Sequence, residues 1–390
     1  MRGRLYLPVT FTPRLAVTLV FAAFGVIGGI WAGSVPAIVR RVGVGELELG
    51  VLFTLLMASN VTAMTLGGWL SRLVSNRSIM MATVPCMALS AVLVHASSSR
   101  LIFIPALLGF GLSQGMTDLA MNAEGSAVES DVGRPMLTGM HGTLSLCIGV
   151  CALLGSLIAA AFTPMGSAPI LMVAGLFGTL AVWRATPDRR PLAGSAVAPA
   201  KSWVYGPLVL LGLAVGFENS GEIAGFLWSA KLLDEAAPSL AAIAGIGPAF
   251  FAGCAAIARL NGDRIRSIFG DRNVVIGSLI IAAIGFVGVG VTNSFATRVL
   301  SFAIVGLGTA CVIPCLFAIA ARSDPNARAA RLGFVSMIAG GPRIISPMIF
   351  GWVWQHSSAG EAFGLCSVLM IVALAMFVAG QAMVGRTAGA

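Results

Sequence analysis

The chain has 390 residues, 57% of them apolar and only 10% charged, with a formal net charge of +9. A soluble domain averages about 25% charged residues, so this chain lacks the polar surface of a soluble enzyme, a disordered protein or a nucleic-acid binder. All seven Cys (Cys86, Cys147, Cys151, Cys254, Cys311, Cys315 and Cys366) fall inside apolar runs. That placement suits packing residues better than a disulfide framework. Neither a metal nor a cofactor is expected.

A bilayer-crossing helix needs about 20 mostly apolar residues. Twelve stretches meet that need, at roughly 15–39, 49–70, 78–95, 101–126, 136–161, 166–183, 204–230, 237–258, 273–293, 299–321, 332–354 and 362–384. The first is expected to be a retained helix, since no small-residue cleavage site follows a short apolar core. The 48 Gly and 18 Pro fit membrane helices, where small residues let backbones approach closely. An all-α membrane protein of twelve transmembrane helices is therefore expected. Residues 184–203 are rich in Pro, Ala and basic side chains and read as a linker. The expected division is a six-helix bundle over 1–183, a linker over 184–203 and a second bundle over 204–390. Secondary transporters use this arrangement, with the substrate site near mid-depth between the halves.

Placing both termini and the linker in the cytoplasm puts 18 of the 24 basic residues there. Five (Arg40, Arg41, Arg100, Lys231 and Arg298) fall on the opposite side, and Arg343 falls within a span. That asymmetry satisfies the positive-inside rule. It accounts for the net charge without nucleic acid.

Ionisable groups inside a span are costly and mark functional positions. The fourth span carries Gln114, Asp118 and Asn122 at i, i+4, i+8, which places them on one face. Such a stripe lines a water-accessible pathway or forms an interhelical hydrogen-bond network. Glu124 lies near the cytoplasmic end. The fifth span carries Thr138, His141 and Ser145 on one face. His141 is either a proton relay or a satisfied hydrogen-bond partner, and an Asp118–His141 pair is the attractive arrangement. The seventh carries Glu218, Asn219 and Glu222. Two Glu four apart disfavour double ionisation, a property suited to proton coupling. The eleventh carries Arg343 after Gly340, Gly341 and Pro342, a run that suggests a broken or kinked helix. Arg343 is expected to pair with Glu222 or Glu218, either for substrate and proton or as a permanent ion pair that fixes helix register. Trp31, Trp228 and Phe226 are candidate stacking surfaces or interface anchors. Ser34 and Asn60 are further candidate lining residues.

The connection between spans two and three carries Gly68, Arg72 and Arg77, and its counterpart between spans eight and nine carries Arg259, Gly262, Asp263, Arg264, Gly270, Asp271 and Arg272. The pair resembles the G-x-L-A-D-R-x-G-R-K signature of the major facilitator superfamily. The second copy keeps Gly262, Asp263, Gly270 and Arg272. In the first, Arg72 stands where Asp is expected and Ser75 where Gly is expected. The segment Asp118-Leu-Ala-Met121-Asn122, then Glu129, then His141-Gly142, resembles the MosC-like branch of that superfamily. Glu222 with Trp228-Ser229-Ala230 resembles its seventh-span motif, although Ile223 and Leu227 depart from the Gly and Asp of the pattern.

The resemblance implies the major facilitator fold, with the charge-free third, sixth, ninth and twelfth spans at the lipid-facing periphery. It also makes Gly68, Arg72, Gly262, Asp263, Arg264 and Arg272 conformational-gate residues of the cytoplasmic loops. The leading expectation is a secondary active transporter that moves a small polar solute (sugar, polyol or amine-bearing derivative) across a bacterial inner membrane by alternating access. Proton coupling is expected, because no G-x-x-x-x-G-K-[ST] motif for ATP is present. The partners are then the substrate, the proton and the bilayer, and the chain acts as a monomer. A proton-driven exporter of a toxic metabolite or drug is the alternative. A membrane-embedded enzyme using Asp118 and His141 as acid and base is a remote one.

Overall fold

The structure, a computed structural model, describes residues 12–133, 136–189, 206–323 and 328–388. Residues 190–203 of the expected linker lie outside the described residues. A chain in lipid must satisfy its backbone groups within each segment, so helices dominate. The first half contains α1 (Pro13–Val42), α2 (Glu46–Leu70), α3 (Asn76–Ala96), α4 (Arg100–Val132), α5 (Leu137–Ala161) and α6 (Ala168–Ala185). The second contains α7 (Gly206–Leu227) with its short extension α8 (Ser229–Ala236), α9 (Ile246–Leu260) and α10 (Gly262–Val291). It continues with α11 (Phe295–Thr309), α12 (Val312–Arg322), α13 (Arg328–His356) and α14 (Ala359–Ala388).

Eleven helical segments among the described residues are long and apolar enough to cross a membrane. The expected span over 237–258 differs from the others. It is a 3-10 turn, Pro238–Ile243, followed by a 15-residue α9. Pro238 has no backbone N–H to continue a helix from α8. The eighth crossing is thus assembled from two short pieces.

Local signals set the ends. The Thr12 hydroxyl accepts from Leu15 N at 3.2 Å, and Pro13 occupies the first turn of α1. Gly43 closes α1 in the left-handed region, with φ 74°. α5 has no cap of its own, and Glu129 on α4 supplies one. Its Oε2 accepts from Met136 N at 2.7 Å and Leu137 N at 2.9 Å. The Glu of the branch motif therefore ties α4 to the positive end of α5.

The two halves meet along two seams, α2 against α13 and α5 against α9. The outer face of α6 exposes Leu176, Phe177 and Trp183, as a lipid-facing helix requires. We call the end that carries the α1–α2 turn the far side and the end that carries the α6–α7 connection the linker side.

The breaks do not fall where the Gly-Pro run suggested. α13 runs continuously through both Pro342 and Pro347. The second half is interrupted instead at Trp228, at Ala310–Cys311 and at Gly270, whose φ of 75° and ψ of 150° stop α10 from being straight. The break between α11 and α12 has a legible cause. The Ala310 carbonyl needs the N–H of residue 314, and that residue is Pro314. Arg259 Nε, at 3.4 Å, takes its place.

Candidate functional site

A chain of polar side chains runs through the molecule, from the middle of α13 to the linker-side end of α9. Arg343 Nη2 on α13 donates to Asn60 Oδ1 on α2 at 3.0 Å. Asn60 Nδ2 lies 3.4 Å from Gln114 Oε1 on α4. One turn along α4, Asp118 Oδ1 accepts from Asn122 Nδ2 at 2.8 Å. Asn122 Oδ1 lies 2.8 Å from His141 Nε2 on α5. One turn along α5, Ser145 Oγ accepts from Arg259 Nη1 on α9 at 2.7 Å. Arg259 Nη2 then binds Glu222 Oε1 on α7 at 2.5 Å.

The chain crosses between the halves twice, at Arg343–Asn60 and at Ser145–Arg259. Both crossings are guanidinium donors from the second half on neutral oxygens of the first. Such bonds are directional, yet neither leaves a carboxylate stranded when it breaks, unlike an ion pair.

Beside this chain, Glu218 is buried on α7, and neither carboxyl oxygen has a hydrogen-bond partner. Asn219 Oδ1 is likewise buried without one.

The far side is closed over the site. Arg40 on α1 pairs with Asp234 on α8. Lys231 on α8 reaches Glu46 on α2 at 3.1 Å and also pairs with Glu235. Leu47 N donates to Gln355 Oε1 at 3.0 Å. Beneath these, Trp228 packs on Phe53, with ring centroids 5.4 Å apart, and on Phe350 and Trp354. Two linker-side clusters of ion pairs among the described residues each stay within one half. Arg189 joins Glu124 and Asp131 in the first, and Asp271 joins Arg266 and Arg322 in the second.

The comparisons agree with this architecture. The chain is 26% identical over 365 residues to an uncharacterized MFS-type transporter of Yersinia pestis, covering 93% of this chain and 94% of the relative. It is 26% identical over 372 residues to the membrane protein MosC of Rhizobium meliloti, covering 93% and 88%. A variant of the nucleoside transporter NupG superposes with a TM-score of 0.73 at 12% identity, covering 95% of this chain and 100% of that one. A bacterial homologue of the human lysosomal transporter Spinster, in an inward-facing and occupied conformation, gives 0.70 at 13% identity, covering 94% and 96%. The fold is that of a major facilitator transporter. The family described as PTR2, POT family, matches residues 272–388, less than a third of the chain.

Several residues expected at the site take other positions. Arg343 pairs with Asn60 and not with Glu222 or Glu218; Glu222 takes Arg259 instead. Asp118 and His141 do not meet directly, because Asn122 stands between them. Trp31 and Trp228 are buried in aromatic packing on the far side. Trp228 also lines a cavity of about 440 Å³ between α7, α13 and α14, separate from the polar chain. Ser34 is buried and donates to the Gly155 carbonyl at 3.2 Å.

In the gate loops, Asp271, and not the signature Asp263, is the hub for Arg266 and Arg322. Asp263 lies 3.7 Å from Arg266, while Arg72 and Arg264 form no ion pair among the described residues. In the first half, Asp188 accepts from Ser75 at the start of α3. A carboxylate from beyond α6 thus sits beside the turn whose signature Asp is Arg72. Arg259 was missed as a site residue because it ends a span and reads as a topological anchor. The available signal was Pro314, which orphans the carbonyl that Arg259 binds.

Proposed function

We propose that this chain is a proton-coupled secondary transporter that carries a small polar solute, of the sugar, polyol or amine-bearing kind, by alternating access. The carrying observation is the polar chain from Arg343 to Glu222, which passes between the halves beneath a closed far side. The linker side is cytoplasmic in this reading, and the membrane is a bacterial inner membrane. The bundles over 1–183 and 204–390 rock about the linker as a monomer. Asn60, Gln114, Asp118, Asn122, His141 and Arg343 contact the solute. Glu222 and Glu218 carry the coupling proton, with Arg259 as the switch between them and the first half.

The physical case for coupling lies in Glu218. Desolvating a lone carboxylate costs several kcal/mol, and a bound proton removes that cost. When a proton binds at the two Glu, Arg259 is freed from Glu222, and its bonds to Ser145 and to the Ala310 carbonyl remain. Proton uptake at α7 is in this way linked to the α5–α9 seam.

Solid-supported-membrane electrophysiology on proteoliposomes tests the reading, with a library of sugars, polyols, amines and amino acids. The wild type is expected to give a substrate-dependent current. Glu222→Gln is expected to abolish it while leaving substrate binding intact. Currents of equal size in both proteins would remove Glu222 from the coupling role.

A further inference from the structure

We infer that the transported solute is a zwitterion, held by its cationic group on Asp118 of the first half and by its anionic group on Arg343 of the second; this rests on the transport reading above. The polar chain contains two carboxylates and two guanidinium groups. Arg259 and Glu222 neutralise each other at 2.5 Å. The remaining two are Asp118 and Arg343. Among the described residues, neither has an oppositely charged group within ion-pair distance. Asp118 has the Asn122 amide at 2.8 Å, and Arg343 has the Asn60 carbonyl oxygen at 3.0 Å, with its Nε buried and unpartnered.

Arg343 is tied through Asn60 to Gln114, and Asp118 lies four residues from Gln114, about 6 Å along α4. A small molecule therefore spans both. A buried charge without a counter-charge is costly. Asp118 and Arg343 act on each other across a gap wider than an ion pair; a neutral solute leaves that gap unbridged, a cation leaves Arg343 without a partner in contact and an anion leaves Asp118 without one. A zwitterion compensates both at once. Because the two groups sit on different halves, it also draws the halves together, which is the differential contact that a ligand-driven closure needs. Asn60, Gln114, Asn122 and His141 remain as neutral hydrogen-bonding groups around the body of the solute.

The test compares matched series on purified full-length protein. Each α-, β- or γ-amino acid is set against its decarboxylated amine, its deaminated acid and a polyol of similar size, with thermal stabilisation and uptake into proteoliposomes as readouts. At least one zwitterion is expected to stabilise the wild type, with its singly charged and neutral counterparts about tenfold or more weaker. In Arg343→Gln the decarboxylated amine is expected to bind as tightly as the zwitterion. In Asp118→Asn the deaminated acid is expected to do so. The wild-type ranking alone decides the matter if either variant fails to fold. A polyol or singly charged solute that binds the wild type as tightly as its zwitterion overturns the inference. Accumulation of a polyol with no zwitterion bound overturns it too, and leaves the transport reading standing. If no compound of any class binds or accumulates, both fall.

Discussion

Glu124 is buried on α4, and the cation that reaches it is Arg189, beyond the end of α6, with Nε 3.1 Å from Oε1. The same guanidinium pairs with Asp131, two turns further along α4. The two carboxylates differ in their surroundings, since the Glu124 side chain is 1% exposed and that of Asp131 is 57% exposed. Removing Arg189 leaves Glu124 without its donor in a place water does not reach. Arg189→Ala is therefore expected to lose about 1–3 kcal/mol. Asp131→Asn, which breaks a solvated pair, is expected to lose less than about 1 kcal/mol. Denaturant unfolding in one detergent checks both, and Arg189→Ala with Glu124→Gln should recover part of the loss. Equal losses for Arg189 and Asp131 would mean that burial of Glu124 does not set the energy. The same distinction governs what could be read at this scale. Gln114, Asp118 and Asn122 were legible as one face, because spacing within a helix is fixed geometry. The partner of Glu222 was not, because the sequence gives no distance between α7 and either Arg259 or Arg343.

At the scale of helices, the association of α1 with α5 depends on backbone approach. Gly25, Gly29 and Gly33 recur every four residues on α1 and face α5. A Cβ on Gly29 would lie 2.5 Å from the Ile148 carbonyl oxygen and 2.9 Å from Cys151 Cβ. Gly155 on α5 answers it, where a Cβ would lie 2.5 Å from the Ile30 carbonyl oxygen. Apolar burial drives little association between helices in lipid, so this close van der Waals contact holds the pair. Gly29→Ala is expected to cost about 1–3 kcal/mol through the forced shift. Gly253→Ala on α9, where a Cβ meets nothing within 4 Å, is expected to gain up to about 1 kcal/mol of helix propensity. Thermal unfolding of the two variants side by side should move in opposite directions. The apolar runs made the helices legible, and the charge-free third and sixth spans made the periphery legible. The breaks were harder to read. Pro342 is absorbed inside α13, where it packs at Gly216 of α7, whereas Pro314 opens the α11–α12 break by depriving Ala310 of a donor. A proline in the sequence does not reveal which neighbour will take up the freed carbonyl.

Across the whole molecule, the kind of contact changes with depth. Among the described residues, ion pairs between the halves gather on the far side, charged-to-neutral hydrogen bonds join the halves between there and the linker-side end of α9, and the Arg189 and Asp271 clusters on the linker side each stay within one half. In the proposed alternating-access cycle, that gradient orders the steps. The far-side pairs hold the present state and have to break for the other to form, while the charged-to-neutral bonds exchange at lower cost. Lys231 is the centre of the far-side set, 6% exposed, with Glu46, Glu235 and the Trp354 ring around it. Partly solvated pairs contribute about 0.2–1 kcal/mol each. Lys231→Gln with Asp234→Asn is thus expected to shift the population toward a far-side-open state by roughly two- to tenfold. Hydrogen–deuterium exchange read by mass spectrometry should then rise over residues 46–54 and 347–356, the segments that meet at Gly50 and Gly351. Asp271→Asn provides the contrast. Its partners Arg266 and Arg322 belong to the same half, so exchange at the far side should not change. If the Lys231 and Asp234 substitutions leave far-side exchange untouched, the closure is held by the aromatic packing of Trp228 on Phe53, and the ion pairs only ornament it.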